Sequence, residues 1–121
     1  MKSVLVVEDE ASMRKAIVVA LNEGGYRTFE AEDGLDAFAI IRELNGEISL
    51  LISELAVPNL DGVSLCRLVK ELFPSVPVLL MSGDAERDAC NVSDAFLWKP
   101  SQLQFLSKVV ADFCLEPMKV A

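Results

Sequence analysis

Five short apolar runs, each followed by a turn signal and most then by apolar residues at helical spacing, leave this chain few folds to choose from. The runs are Ser3 to Val7, Tyr26 to Ala31, Ile48 to Ser53, Val76 to Met81 and Ala95 to Trp98. Ser3 to Val7 and Ile48 to Ile52 are almost wholly apolar, as suits strands buried on both faces, whereas Tyr26 to Ala31 alternates as an outer strand does. Between and after them, four sets recur at helical spacing. They are Met13, Ile17, Ala20 and Leu21; Ala37, Ile40, Ile41 and Leu44; Leu65, Leu68, Val69 and Leu72; and Leu103, Leu106, Val110 and Phe113. Gly24-Gly25, Asp33-Gly34, Asn45-Gly46, Pro74 and Ser82-Gly83 punctuate the pattern, and Asp61 is placed to cap the third helix. Strands alternating with helices imply an α/β fold with a parallel sheet and helices on both faces. Right-handed crossovers then favour a doubly wound, five-stranded sheet of order 2-1-3-4-5.

In that order the C-terminal strand ends share one edge, where doubly wound sheets place their sites. Glu8 and Asp9 follow the first strand, with Glu10 behind them; Glu54 ends the third, Ser82 the fourth and Lys99 the fifth. Any one of these charged residues is as well explained by an ordinary exposed position. Five such groups at the same end of four strands define a crevice of acids, a hydroxyl and a lysine. Clustered acids repel one another, and an adjacent cation or Mg²⁺ relieves that repulsion.

With 121 residues, 52% of them hydrophobic, the chain reads as a single domain over 1–121, with a core of about 3–115 and a short tail at 116–121. A formal net charge of −8 argues against nucleic acid or an anionic membrane surface as a direct partner. The absence of histidine removes Ser-His and Cys-His catalysis, His metal ligands and a phosphohistidine role. Cys66, Cys90 and Cys114 are isolated and form no CxxC, so they read as small apolar residues in a reducing compartment. The first apolar run is too short for a signal peptide or membrane span, and the expected location is the cytoplasm.

Val-Leu-Val-Val-Glu-Asp-Glu at Val4 to Glu10, Pro58 with Asp61-Gly62, Met-Ser-Gly at Met81 to Gly83, and Lys99-Pro100 stand in order at the ends of successive strands. With them the chain resembles the receiver domains of the two-component response-regulator family, over about Ser3 to Leu115. The resemblance implies a CheY-like fold and a regulatory role in phosphorelay signalling rather than an enzyme. It also implies roles by position. Glu8 and Asp9 match the acidic pair that holds Mg²⁺, with the backbone carbonyl of Ala56 as a further ligand. Ser82 and Phe96 match the switch positions, and Lys99 matches the lysine that pairs with the phosphoryl group.

One position departs. Where the family carries its phosphoacceptor aspartate, four residues before the proline, this chain has Glu54. Ser53 should face the other side of the strand, and Asp61 belongs to the following helix start, so neither replaces it. Phosphoryl transfer depends on positioning, and a displacement of about 1 Å costs on the order of 10²-fold. A glutamate is therefore expected to be a poor acceptor. Its single charge is a partial mimic of a phosphoryl group, which carries about −1.5 to −2. Two outcomes stay open: Glu54 pairs with Lys99 and holds an active-like surface, or the site is silent. Mg²⁺ binding by Asp9, Glu54, the Ala56 carbonyl and Glu8 stays open too, because a Lys99–Glu54 pair competes for it.

The segment between Ser82 and Lys99 is about one helical turn shorter than the resemblance calls for. It holds Gly83, Asn91 and Ser93, which predicts a fourth helix that is short, distorted or absent. Phe96 and Trp98 fall on one side of strand five by alternation. The face built from strand five and the last helix is where the family implies a protein partner: a histidine kinase, a downstream effector, or a second copy in a homodimer. The leading expectation is a phosphorylation-independent interaction module. The alternative is a Mg²⁺-dependent acceptor switch using Glu54. A flavodoxin-like cofactor binder is disfavoured, because Glu8, Asp9 and Glu10 would repel a phosphate.

Overall fold

The observed sheet has five parallel strands in the order β2-β1-β3-β4-β5, as the alternation predicts. A computed structural model describes residues 2–83, 92–99 and 105–114. In chain order the elements are β1 (Ser3–Val7), α1 (Ala11–Glu23), β2 (Arg27–Ala31), α2 (Gly34–Glu43), β3 (Leu50–Glu54), α3 (Gly62–Leu72), β4 (Val78–Ser82), β5 (Ala95–Trp98) and α4 (Leu106–Cys114). The expected short helix between Ser82 and Lys99 falls on residues 84–91, outside the described residues, as do Cys90, Leu103 and the tail.

Strand parity sorts the core into two layers. Leu5, Val7, Leu51, Val78 and Leu80 pack with Ala37 and Ile41 of α2 and Leu65, Cys66 and Val69 of α3. Val4, Val6, Leu50, Ile52, Leu79 and Met81 pack with Ile17 and Leu21 of α1 and Leu106, Val110 and Cys114 of α4. Every residue of β3 and β4 is buried, which is why those runs are continuous rather than alternating. The edge strand β2 keeps only Ala31 buried.

Helix starts follow local chemistry. Asp33 Oδ1 accepts from the Asp36 N–H and Asp61 Oδ1 from the Ser64 N–H, both at 2.8 Å. Glu10 stands at the N-cap of α1 but makes no side-chain cap; its carboxylate accepts from Ser12 Oγ instead. Gly34, expected in a turn, is the first residue of α2. Asn45 and Gly46, at φ 53° and 73°, end the α2 segment in the left-handed region that these residue types tolerate.

The predicted buried stripe of α3 needs two corrections, the first being Leu68, which is only half-buried and belongs to neither core layer. Leu72 is 52% exposed, and Cys66 is buried in its stead. Gly62, Leu65, Cys66 and Val69 trace the inward face, and the next inward position falls to Phe73 at the C-cap, which packs against the core.

Candidate functional site

Register places the edge groups. Val7 pairs with Ser53, Glu54 with Met81 and Ser82 with Trp98, so the C-terminal ends of β1, β3, β4 and β5 lie in line. The Leu55 N–H donates to Met81 O and the Lys99 N–H to Ser82 O, so the two residues leaving β3 and β5 are tied to β4.

Glu54 is 8% exposed and Glu8 2% exposed. Two unpaired carboxylates at that depth would be costly. The cation that offsets them is Lys99. Its Nζ lies 2.7 Å from Glu8 Oε1, as a hydrogen bond, and 2.7 Å from Glu54 Oε2. The second contact is an ion pair by distance, while the direction of approach leaves buried Oε2 without a hydrogen-bond partner. Glu54 reaches this lysine past an intervening strand. Adjacent strands lie about 4.8 Å apart, so β3 and β5 backbones are separated by roughly 10 Å, a gap that the Glu54 and Lys99 side chains span between them.

The electrostatics follow from that triad. Burial pushes the Glu8 carboxyl above its ordinary value; Lys99 opposes the shift, and Glu54 and Asp9 add to it. Burial pulls the Lys99 ammonium down, but contacts with Glu54 and Glu8 outweigh it and leave the group raised.

The loop after β3 is fixed from both sides. The Gly62 N–H donates to Leu55 O at 2.8 Å, and the Gly34 N–H to Pro58 O at 3.3 Å. Asn59, at φ 68°, donates through Nδ2 to Asp33 Oδ2 at 2.7 Å. The cap of α2 thus also holds the loop that begins at Leu55.

The sequence-derived groups do not all converge. Glu8, Glu54 and Lys99 meet directly. Ser82 is buried beside them, with its carbonyl on the Lys99 N–H. Ser53 turns to the opposite face, as expected, and its Oγ donates to Glu54 O at 2.9 Å. Asp9 is exposed at the rim, and Ala56 is exposed in the loop. Phe96 and Trp98 share one side of β5, with ring centroids 5.0 Å apart at 73°, and both are half-buried. Cys66 and Cys114 are buried free thiols, raised chiefly by burial.

Arg14 was not singled out by its sequence context. Its Nη1 donates to Glu8 O at 2.7 Å, and its guanidinium pairs with Glu30 at 3.2 Å, holding the chain where it leaves β1. The readable signal was a cation on the first turns of α1, four residues after Glu10.

Among the described residues no three acidic, cysteine or histidine side chains are grouped to hold a metal ion. The two innermost carboxylates are turned to Lys99 instead.

Fold and site together define a doubly wound α/β domain with a charge-paired acidic pocket at its switch point. Residues 4–111 match the family model described as "Response regulator receiver domain", and the chain belongs to that family. Among curated proteins it is 31% identical to the response regulator receiver protein CpdR of Brucella abortus, over 79% of this chain and 87% of CpdR. It is 35% identical to the sensor kinase CckA of the same organism over 91% of this chain, but spans only 12% of that kinase. Among solved structures, a receiver domain protein from Clostridium thermocellum superposes with a TM-score of 0.86 at 23% identity, covering 94% of each chain. TrrA of Thermotoga maritima, solved with Mg²⁺ and BeF, superposes with a TM-score of 0.82 at 23% identity, over 93% of this chain and 99% of TrrA. The chain is a receiver domain of two-component signalling. No helix among the described residues is long and apolar enough to cross a membrane.

Proposed function

We propose that this receiver domain is a regulatory interaction module, not an enzyme, and that it works without a phosphorylation cycle. Glu54 stands at the phosphoacceptor position. The observation that carries the reading is the contact between Glu54 Oε2 and Lys99 Nζ at 2.7 Å. The group that would attack a phosphorus atom is already ion-paired with the group that would pair with the transferred phosphoryl. Its extra methylene supports the same reading, since an acceptor misplaced by about 1 Å loses on the order of 10²-fold. The pairing meets the condition for a permanently held charge state, in which Glu54 supplies part of what a phosphoryl group supplies elsewhere.

On this reading Ser82, Phe96 and Lys99, at the positions that the resemblance assigns to the switch, report a fixed carboxylate. The partner is a protein, a histidine kinase or a downstream effector domain, received on the face of β5 and α4. Half-buried Phe96 and Trp98 on β5, and Phe105, 48% exposed just before α4, supply apolar area in that region. A homodimer through the same face is the other form such a contact takes.

Incubation with acetyl phosphate and Mg²⁺, followed by intact-protein mass spectrometry, tests the proposal. The expected result is no added phosphoryl group on the wild type and uptake by Glu54→Asp. An acyl phosphate on the wild type that disappears in Glu54→Gln would overturn it in favour of a Mg²⁺-dependent acceptor switch.

A further inference from the structure

The pocket already contains a cation, and that cation is part of the chain. Lys99 Nζ lies 2.7 Å from one oxygen of Glu8 and 2.7 Å from one oxygen of Glu54. Glu8 leaves β1 and Glu54 ends β3, so the ammonium joins neighbouring strands from a third element, after β5. A metal bonded to those same oxygens would approach each to about 2.1 Å, which brings it against the ammonium. Like charges at that separation repel strongly in a partly desolvated site. The lysine backbone is held by its N–H bond to Ser82 O at 2.8 Å, and its side chain is only 14% exposed. Asp9, the remaining acid of the pair, is exposed and joins neither contact. The donor set and the ion implied by the family therefore do not fit one another in this chain.

We propose that the Lys99 ammonium takes the place of the divalent cation, making the pocket self-neutralised and closed to Mg²⁺. The ammonium offsets one of the two buried carboxylate charges and lies against both, so a strongly hydrated divalent ion must displace it before bonding to the oxygens it holds. The inference deepens the phosphorylation-independent reading and rests on it, but it fails separately.

Mn²⁺ serves as the probe, with free ion counted by electron paramagnetic resonance during titration. The wild type is expected to bind Mn²⁺ no more tightly than a Glu8→Gln/Glu54→Gln double variant, which measures the background of an acidic surface. Lys99→Met is expected to bind at least about ten-fold more tightly than the wild type, since removing a unit charge at ion-pair distance from a divalent ion is worth more than one decade. Lys99→Arg keeps the charge and should stay at background. If Lys99→Met is unfolded alone, its refolding on addition of Mg²⁺ supports the proposal, and failure to refold overturns it. Wild-type binding tighter than the double variant overturns it outright, whether or not the protein accepts a phosphoryl group. Phosphoryl uptake is the separate test of the reading beneath.

Discussion

Lys99 carries one positive charge that two buried carboxylates share. Breaking a buried pair by removing one partner costs more than the pair contributes, because the remaining charge stays desolvated. Lys99→Met is therefore expected to lose about 3 to 5 kcal/mol at neutral pH, toward the lower end because the pocket lies at a sheet edge. Urea denaturation measures this, and the loss should shrink as acid protonates the carboxylates. Glu8 has its own sign. Its folded value is raised above 4.5, so the native state binds more protons than the unfolded chain in the window just above that value. Its contribution to stability accordingly falls as pH rises through that window. Thermal unfolding of wild type and Glu8→Gln across that range should show the wild type's advantage declining with pH. Lys99 is raised above 10.5, so the stability it supplies is present below that value and lost as pH climbs through its folded value. Lys99→Met should flatten the alkaline limb.

The element that most constrains the pocket's geometry is α3, because its first turn is seated on the end of β3. A Cβ on Gly62 would stand 2.5 Å from Glu54 O and 2.9 Å from Leu55 Cα. Both are backbone atoms and cannot swing aside. Gly62→Ala is expected to cost about 1 to 3 kcal/mol, the range for forced overpacking, and to shift the backbone that carries Glu54. Calorimetry reads the first effect, and amide chemical shifts at Glu54 and Leu55 read the second. Asp61→Ala removes the cap on the Ser64 N–H and the exposed bond from Ser64 Oγ, and should cost about 1 kcal/mol without moving the pocket. That cap was legible in the sequence, as were the ends of α1 and α2. The inward turn of Phe73 was not: Leu72 satisfies helical spacing and is still helical, yet it is exposed while Phe73 at the C-cap packs against the core, a choice that spacing alone does not make.

At the scale of the whole molecule, one sheet separates two apolar layers. Leu65 packs with α2 and the odd residues of β3, and Ile17 with α4 and the even ones. Leu65→Ala should cost about 2 to 5 kcal/mol and Ile17→Val about 0.5 to 1.5 kcal/mol. Because they share no partners, the double variant should lose the sum to within about 0.5 kcal/mol, measured by denaturant unfolding. The sheet also sets the site, since parallel strands in this order bring four C-terminal ends to one edge. Strand order, the parity that turns Ser53 away from Glu54, and the convergence of Glu8, Glu54, Ser82 and Lys99 on that edge were all implied by the spacing of apolar runs. Periodicity reports which face of an element is buried, and chain connectivity limits how faces can stack, so the sequence alone determined the architecture and the edge on which the charges gather. Which charges touch was decided by the tertiary structure. Lys99 bridges Glu8 as well as Glu54, Asp9 stays at the rim, and Arg14 braces the turn after β1. These contacts join residues up to 91 positions apart, and a difference of one methylene or one strand width, a few ångströms in three dimensions, leaves no periodic trace along the chain.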